Sequence, residues 1–188
     1  MEATRSQLMT SWSSVVIALC ALILSLYSAC QTRRVTRLSA RPYVQLSFSF
    51  NEQGAGWTYR NMGQGPAVVR SFEVSLDGQR LRSWNELVRK LDLTNDGPIR
   101  YSVAGLGNIA LPYKTGDITE LFWVPPSDRE KLVSNSARVR ITTCYCSLYN
   151  ECWKSFYSID TADAIPKEVS ACKVIPADER FGVELLSR

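Results

Sequence analysis

The residues best suited to chemistry lie late in the chain, in Cys144-Tyr145-Cys146-Ser147-Leu148-Tyr149-Asn150-Glu151-Cys152-Trp153, with a further cysteine at position 172. Three behaviours are open to them. In a reducing compartment cysteines are ordinary small buried residues. In an oxidising one they form a structural disulfide, and as thiolates they bind metal or exchange with other disulfides. If Leu148, Tyr149 and Asn150 form a three-residue hairpin loop, Asn150 takes the left-handed third position, Ser147 faces Glu151 and Cys146 faces Cys152. Directly opposed residues have Cα atoms about 4.5–5.5 Å apart, near the short end of disulfide geometry. Cys146 and Cys152 are therefore the candidate disulfide. Cys172 competes for either partner, and the pairing of the four cysteines is not readable from spacing. C-x-C-x5-C is not a standard zinc-finger spacing, and a thioredoxin-type C-x-x-C is missing.

Other chemistry is sparse. The chain has no histidine, which removes Ser-His-Asp and Cys-His pairs, His-containing zinc sites and a histidine acid or base. No Walker-type loop, dinucleotide fingerprint or EF-hand loop is present. Catalytic, cofactor-binding and metal-ligating residues are accordingly assigned to none, and no cofactor is expected. The second distinctive motif is Asn61-Met62-Gly63-Gln64-Gly65-Pro66-Ala67. It reads as a structural turn between strands: Asn61 satisfies nearby backbone, Gly63 or Gly65 takes φ > 0, and Pro66 fixes the start of the next strand. A glycine-rich loop could instead cradle an anion, but no Lys-Ser/Thr follows it and a strand comes next.

These motifs must be positioned by something, and the first element is an anchor. Trp12–Cys30 contains no charge, and Val15–Leu26 is almost unbroken apolar sequence. As a helix this run reaches roughly 28 Å, close to the hydrocarbon thickness of a bilayer. Trp12 and Tyr27 near its ends suit the headgroup level. The expected organisation is a short tail over 1–11, a transmembrane helix over 12–30, a basic juxtamembrane extension over 31–41 and a β-sandwich over 42–188. Five arginines (5, 33, 34, 37 and 41) against Glu2 account for the whole formal charge of +4. The remainder is neutral and has no field to attract phosphates, so nucleic-acid binding is not expected.

Arg33, Arg34, Arg37 and Arg41 flank the anchor and would sit beside anionic lipid. By the positive-inside rule they favour a cytoplasmic domain on a single-pass protein of the bacterial inner membrane. A short tail before an apolar run also reads as an uncleaved signal anchor, which would export the domain, and the cysteines would suit that. A third alternative is processing before Cys30 as a lipoprotein, since Leu26–Cys30 loosely matches the acylation box.

After Arg41-Pro42 the periodicity becomes two. Strands are predicted over 43–50, 57–60, 67–76 and 79–81, with a hairpin at Asp77-Gly78. A helix over 83–91 carries a capping box, Ser83 and Glu86. Weaker strands follow at 99–103 and 109–111, then a turn at 114–117. A strand at 121–124, a helix at 127–134 with an N-cap, and a hairpin of 138–146 with 152–159 come next. Short strands are expected at 173–174 and 183–185. Trp57, Trp84, Trp123 and Trp153 are read as core. The fold class is mainly β: an N-terminal transmembrane helix, then an antiparallel immunoglobulin-like β-sandwich with one or two short inserted helices.

The run Arg37-Leu38-Ser39-Ala40-Arg41-Pro42, then N-x-G-x-G-P-A, then a strand ending in Asp77-Gly78 resembles an uncharacterised family of bacterial single-pass membrane proteins. Those carry a short anchor and one small β-rich domain. The turn is also similar to that of immunoglobulin-like adhesion modules. The resemblance implies no activity. The functional expectation is a membrane-anchored, non-enzymatic interaction module whose partners are the lipid bilayer and another protein. The alternatives are a thiol/disulfide-dependent activity at Cys146 and Cys152, or a cleaved lipoprotein with a structural envelope role.

Overall fold

The computed structural model describes residues 2–93, 99–101, 110–112, 119–157, 165–176 and 179–182. It divides into two compact units between Ser39 and Ala40. The first is the single helix α1, Glu2–Ser39. It takes in most of the stretch expected as a tail, because residues 1–39 contain neither proline nor glycine and nothing interrupts the helix. Ser14–Ser39 is long and apolar enough to cross a membrane. Several of its hydroxyls are satisfied within the helix, Ser25 Oγ donating to Ala21 O at 2.8 Å and Thr32 Oγ1 to Ser28 O at 2.9 Å. Its apolar side chains are exposed, Ile17 at 68 % and Leu24 at 67 %.

The second unit is mainly β, with antiparallel strands in two sheets. In chain order the elements are β1 (Val44–Asn51), β2 (Gly54–Asn61), β3 (Ala67–Leu76), β4 (Gln79–Leu81), α2 (Trp84–Lys90), β5 (Arg100–Tyr101), β6 (Ala110–Leu111) and β7 (Thr119–Val124). Then come α3 (Pro126–Asn135), β8 (Val139–Cys146), β9 (Cys152–Tyr157) and β10 (Lys167–Val169). One sheet has the order β1-β2-β7-β5. The other runs β10-β9-β8-β3-β4, with β6 pairing the start of β3.

Alternation explains which faces meet. Val69 on β3 and Val139, Ile141, Thr143 and Tyr145 on β8 point inward, as do Val44 and Leu46 on β1. Trp57, fully buried on β2, sits at the centre. Its ring lies 5.1 Å from Phe48, 6.0 Å from Phe122 and 6.5 Å from Tyr157 of the facing sheet. A second aromatic group closes the core under α2, with Trp84 4.9 Å from both Phe122 and Phe181. Trp123 and Trp153 are also buried, so all four tryptophans of this unit contribute to burial.

Several elements differ from the sequence expectation in extent. β2 begins at Gly54 rather than Trp57, because a side chain at Gly56 would lie 2.0 Å from Phe122 O; glycine here is what lets β7 approach. α3 starts at Pro126 behind Pro125, with Ser127 inside the helix, so Ser127 is not its cap. The 173–174 stretch is irregular and Val174 is exposed; the late strand is β10 instead, paired to β9. The expected turn at 114–117 and strand at 183–185 lie outside the described residues, as do parts of those at 99–103, 109–111 and 152–159. Asp77 and Gly78 both have positive φ, as a type I′ hairpin demands.

At α2, Ser83 Oγ accepts from the Glu86 amide, and the Glu86 carboxylate accepts from the Arg82 amide at 2.8 Å. The reciprocal bond thus reaches one residue beyond the cap itself. That amide holds the Glu86 carboxyl below its ordinary range; burial opposes it, and the side-chain bond from Lys90 adds a lesser lowering effect. A depressed folded pKa contributes stability that is present above the ordinary carboxylate range and lost as pH falls through the lowered value. Glu86→Gln is expected to flatten the acid limb of stability against pH, measured by urea midpoints from neutral pH down to about 3. Separately, Thr143 Oγ1 is fully buried and finds no hydrogen-bond partner among the described residues. Thr143→Val should raise stability by about 1 kcal/mol, read as a higher urea midpoint at unchanged slope.

Candidate functional site

The two motifs singled out by their chemistry meet at one end of the sandwich, the end where the β unit begins at Ala40. Asn61 closes β2 and is almost fully buried. Its Oδ1 accepts from the amides of Tyr43 and Gly63, both at 3.1 Å. Its Nδ2 donates to the carbonyls of Gly65 at 2.9 Å, Pro112 at 3.1 Å and Leu111 at 3.4 Å. One amide group therefore joins the chain entering β1, the β2–β3 turn and the residues at and after β6. Backbone bonds from Met62 N to Tyr43 O and from Gln64 N to Arg41 O run alongside.

The glycines of this turn serve a different purpose from the one expected. Neither Gly63 nor Gly65 has positive φ. What they supply is space: a side-chain carbon at Gly65 would lie 1.8 Å from Ala40 O, and one at Gly63 would lie 2.4 Å from Tyr43 N. The turn is pressed against residues 40–43, and any larger residue would push the two segments apart. Pro66 is half-buried and leads directly into β3.

Behind the turn stands Tyr145, fully buried between the two cysteines of β8. Its phenol oxygen accepts from the Val44 amide at 3.1 Å, and Ser155 Oγ of β9 donates to the Val44 carbonyl at 2.8 Å. These two bonds fasten the first residue of β1 to the opposite sheet. Burial raises the Tyr145 phenol above its ordinary pKa, partly offset by the Val44 amide, so it stays a neutral hydroxyl. Trp153 is the cross-strand partner of Tyr145, and the guanidinium carbon of Arg41 stands 5.0 Å from its ring centroid. Arg41, expected as a membrane-flanking charge, thus belongs to the β unit. Arg33, Arg34 and Arg37 are exposed on α1.

The cysteines lie on the other face of β8. Ser147 N donates to Glu151 O at 2.8 Å, Asn150 has φ 60°, and Cys146 lies opposite Cys152. Two disulfides are formed, Cys146–Cys152 and Cys144–Cys172, spanning 6 and 28 residues of sequence. The sulfurs of Cys146, Cys152 and Cys172 lie within 4.8 Å of one another, close enough for one soft ion. Each is bonded, however, and a disulfide sulfur is not the thiolate that a metal requires. Among the described residues the free cysteines are Cys20 and Cys30, both exposed on α1.

A family profile described as a domain of unknown function, DUF8453, matches residues 8–164. The chain belongs to the DUF8453 family. No curated protein and no solved structure matches it. The DUF8453 match takes in the apolar run of α1, the Asn61 turn and Cys144, Cys146 and Cys152, and it stops before Cys172. Sequence reasoning had no means of finding the Asn61 network, whose partners are backbone groups up to 51 positions away. Nor could it choose Cys172 for Cys144. The one available signal was Asn61 itself, an amide ahead of two glycines.

Removal of the clamp is expected to be costly. Asn61→Asp keeps the acceptor but turns a charge toward three carbonyls, and should lose about 3 kcal/mol. Gly65→Ala should lose a comparable amount by displacing Ala40. Thermal unfolding of the full-length variants in detergent checks both, and unchanged midpoints would remove the clamp from the account.

Proposed function

We propose that this DUF8453 protein is a membrane-anchored, non-enzymatic interaction module, single-pass in a bacterial cell membrane. The observation that carries the reading is the 14–39 span of α1: it has the length and composition of a membrane crossing, and none of it is buried within the protein. The family match begins at residue 8, ahead of that span, which supports treating helix and β unit as one working piece. The strand orders β1-β2-β7-β5 and β9-β8-β3-β4 correspond to ABED facing GFC with one added strand, which supports an immunoglobulin-like sandwich. A partner protein would be met through loops or the outer edge of β1, the terminal strand of its sheet. Anchoring would raise its effective concentration. Arg33, Arg34 and Arg37 would lie against anionic headgroups.

The two disulfides support placing the β unit on the oxidising side of the membrane, against the preference of the arginine count. Two measurements test the proposal. After detergent-free lysis and alkaline carbonate washing, the full chain should remain in the membrane pellet. Leu22→Arg with Ile23→Arg should move most of it to the supernatant, since each central charge costs about 3 kcal/mol. Wild-type protein released by the carbonate wash would defeat the anchor. A C-terminal reporter active only outside the cytoplasm should be active; a silent reporter with cytoplasmic fluorescence would reverse the orientation.

A further inference from the structure

The outward face of β8 does not follow the exposure its alternation demands. Arg140 is exposed and Thr142 half-buried, yet Cys144 and Cys146, next in the same row, are each only 4 % exposed. The disulfide from Cys144 holds Cys172 over that row, and Cys172 lies in an irregular stretch following β10. Cys172 is also the most accessible of the four sulfur residues, being half-buried between exposed Ala171 and Lys173. The two disulfides touch: Cys146 Sγ is 3.8 Å from Cys172 Sγ, although these two are not bonded to each other.

We propose that the four cysteines form a thiol–disulfide exchange site whose co-substrate is a dithiol, and that accepting one electron pair re-pairs Cys146 with Cys172. The chemistry is that of thiolate attack on a neighbouring disulfide sulfur. A dithiol opens the Cys144–Cys172 bond, the more accessible of the two at Cys172, and becomes a disulfide, leaving thiols at both positions. The Cys172 thiolate then attacks Cys146 Sγ; the Cys146–Cys152 bond breaks, and Cys152 leaves as thiolate and takes up a proton. If Cys146–Cys152 opens first, the Cys146 thiolate attacks Cys172 Sγ and Cys144 leaves. Either route ends with one disulfide, Cys146–Cys172, and thiols at Cys144 and Cys152. The net reaction converts one dithiol to its disulfide and one of the two protein disulfides to two thiols.

Convergence on one product is what makes the arrangement more than two independent staples. Cys144 and Cys146 are two residues apart on one strand face, so the exchange moves the attachment of Cys172 about 7 Å along β8, toward the hairpin loop. Tyr145, between them, points to the opposite face, so its bond to Val44 does not lie in the path. The proposal is independent of the anchoring reading, since it concerns the β unit alone.

Full-length protein in detergent micelles, treated with one equivalent of dithiothreitol, quenched in acid and alkylated, tests it. Cleavage beside Tyr145 in acid separates Cys144 from Cys146 for mass analysis. The expected result is alkylation mainly at Cys144 and Cys152 with a Cys146–Cys172 crosslink, Cys20 and Cys30 being labelled in every sample as reference. Alkylation at Cys144 with Cys172, or at Cys146 with Cys152, would overturn it. Without any reductant, Cys152→Ser and Cys144→Ser should each yield the Cys146–Cys172 crosslink. Retention of the remaining original bond in both, with Cys146 and Cys172 respectively alkylated, would also overturn it.

Discussion

The structure depends on a buried carboxamide. Where β1 begins, the β2–β3 turn and the β6 segment converge, and their backbone groups cannot all pair with one another as strands do. Buried amides and carbonyls must still find partners. Asn61 is suited to this because it has an acceptor and two donors on one short, rigid side chain, and it spends them on Tyr43, Gly63, Gly65, Leu111 and Pro112. An aspartate lacks the donors, and a serine lacks the reach. The glycines follow from the same constraint, since the carboxamide can span three segments only if they lie close enough to exclude a Cβ.

That junction explains why the other anchors of this end are polar or covalent. Apolar packing is not directional and would not fix the register of β1 against the far sheet. Tyr145 and Ser155 do so through the two backbone groups of Val44. In the loop-closure account the disulfides add about 2 kcal/mol for the 6-residue separation and about 3.5 kcal/mol for the 28-residue one. Their contribution falls on the outward side of β8, whose inner side is already held by Tyr145.

What could be read in the sequence was whatever is local. Alternation located most strands, Asp77-Gly78 announced its hairpin, and Ser83 with Glu86 marked the start of α2, because each signal sits within a few residues of its consequence. The apolar helix was legible for the same reason. The start of β2 was not, since Gly54 and Gly56 read as a turn until β7 is known to lie against them. The functional end shows the same division. The opposition of Cys146 and Cys152 follows from loop length, whereas the use of Gly63 and Gly65 for space depends on Ala40 and Tyr43, and the choice of Cys172 by Cys144 on a fold in which β10 returns to β9. The approach of Arg41 to Trp153 was not legible, because charge counting groups the arginine with its neighbours in sequence.

The two halves of the protein press different demands on its location. In the proposed anchored arrangement the arginines of α1 would act during insertion, through a charge difference across the span, and residues 42–188, being neutral, would add nothing to that difference. The cysteines act after folding, through the redox poise of whatever compartment receives them. Residues 42–188 would therefore oppose neither orientation electrostatically. Among the described residues, the disulfides are what would make the two sides of a membrane chemically unequal for that unit. On an oxidising side, Cys172 is tied over the outer face of β8. Under the proposed exchange, a dithiol shifts that tether from Cys144 to Cys146, on a strand whose inner side is held by Tyr145. The bonds of Tyr145 and Ser155 to Val44 lie on the inner side of the sheet, whereas the covering of its outer face is held by sulfur.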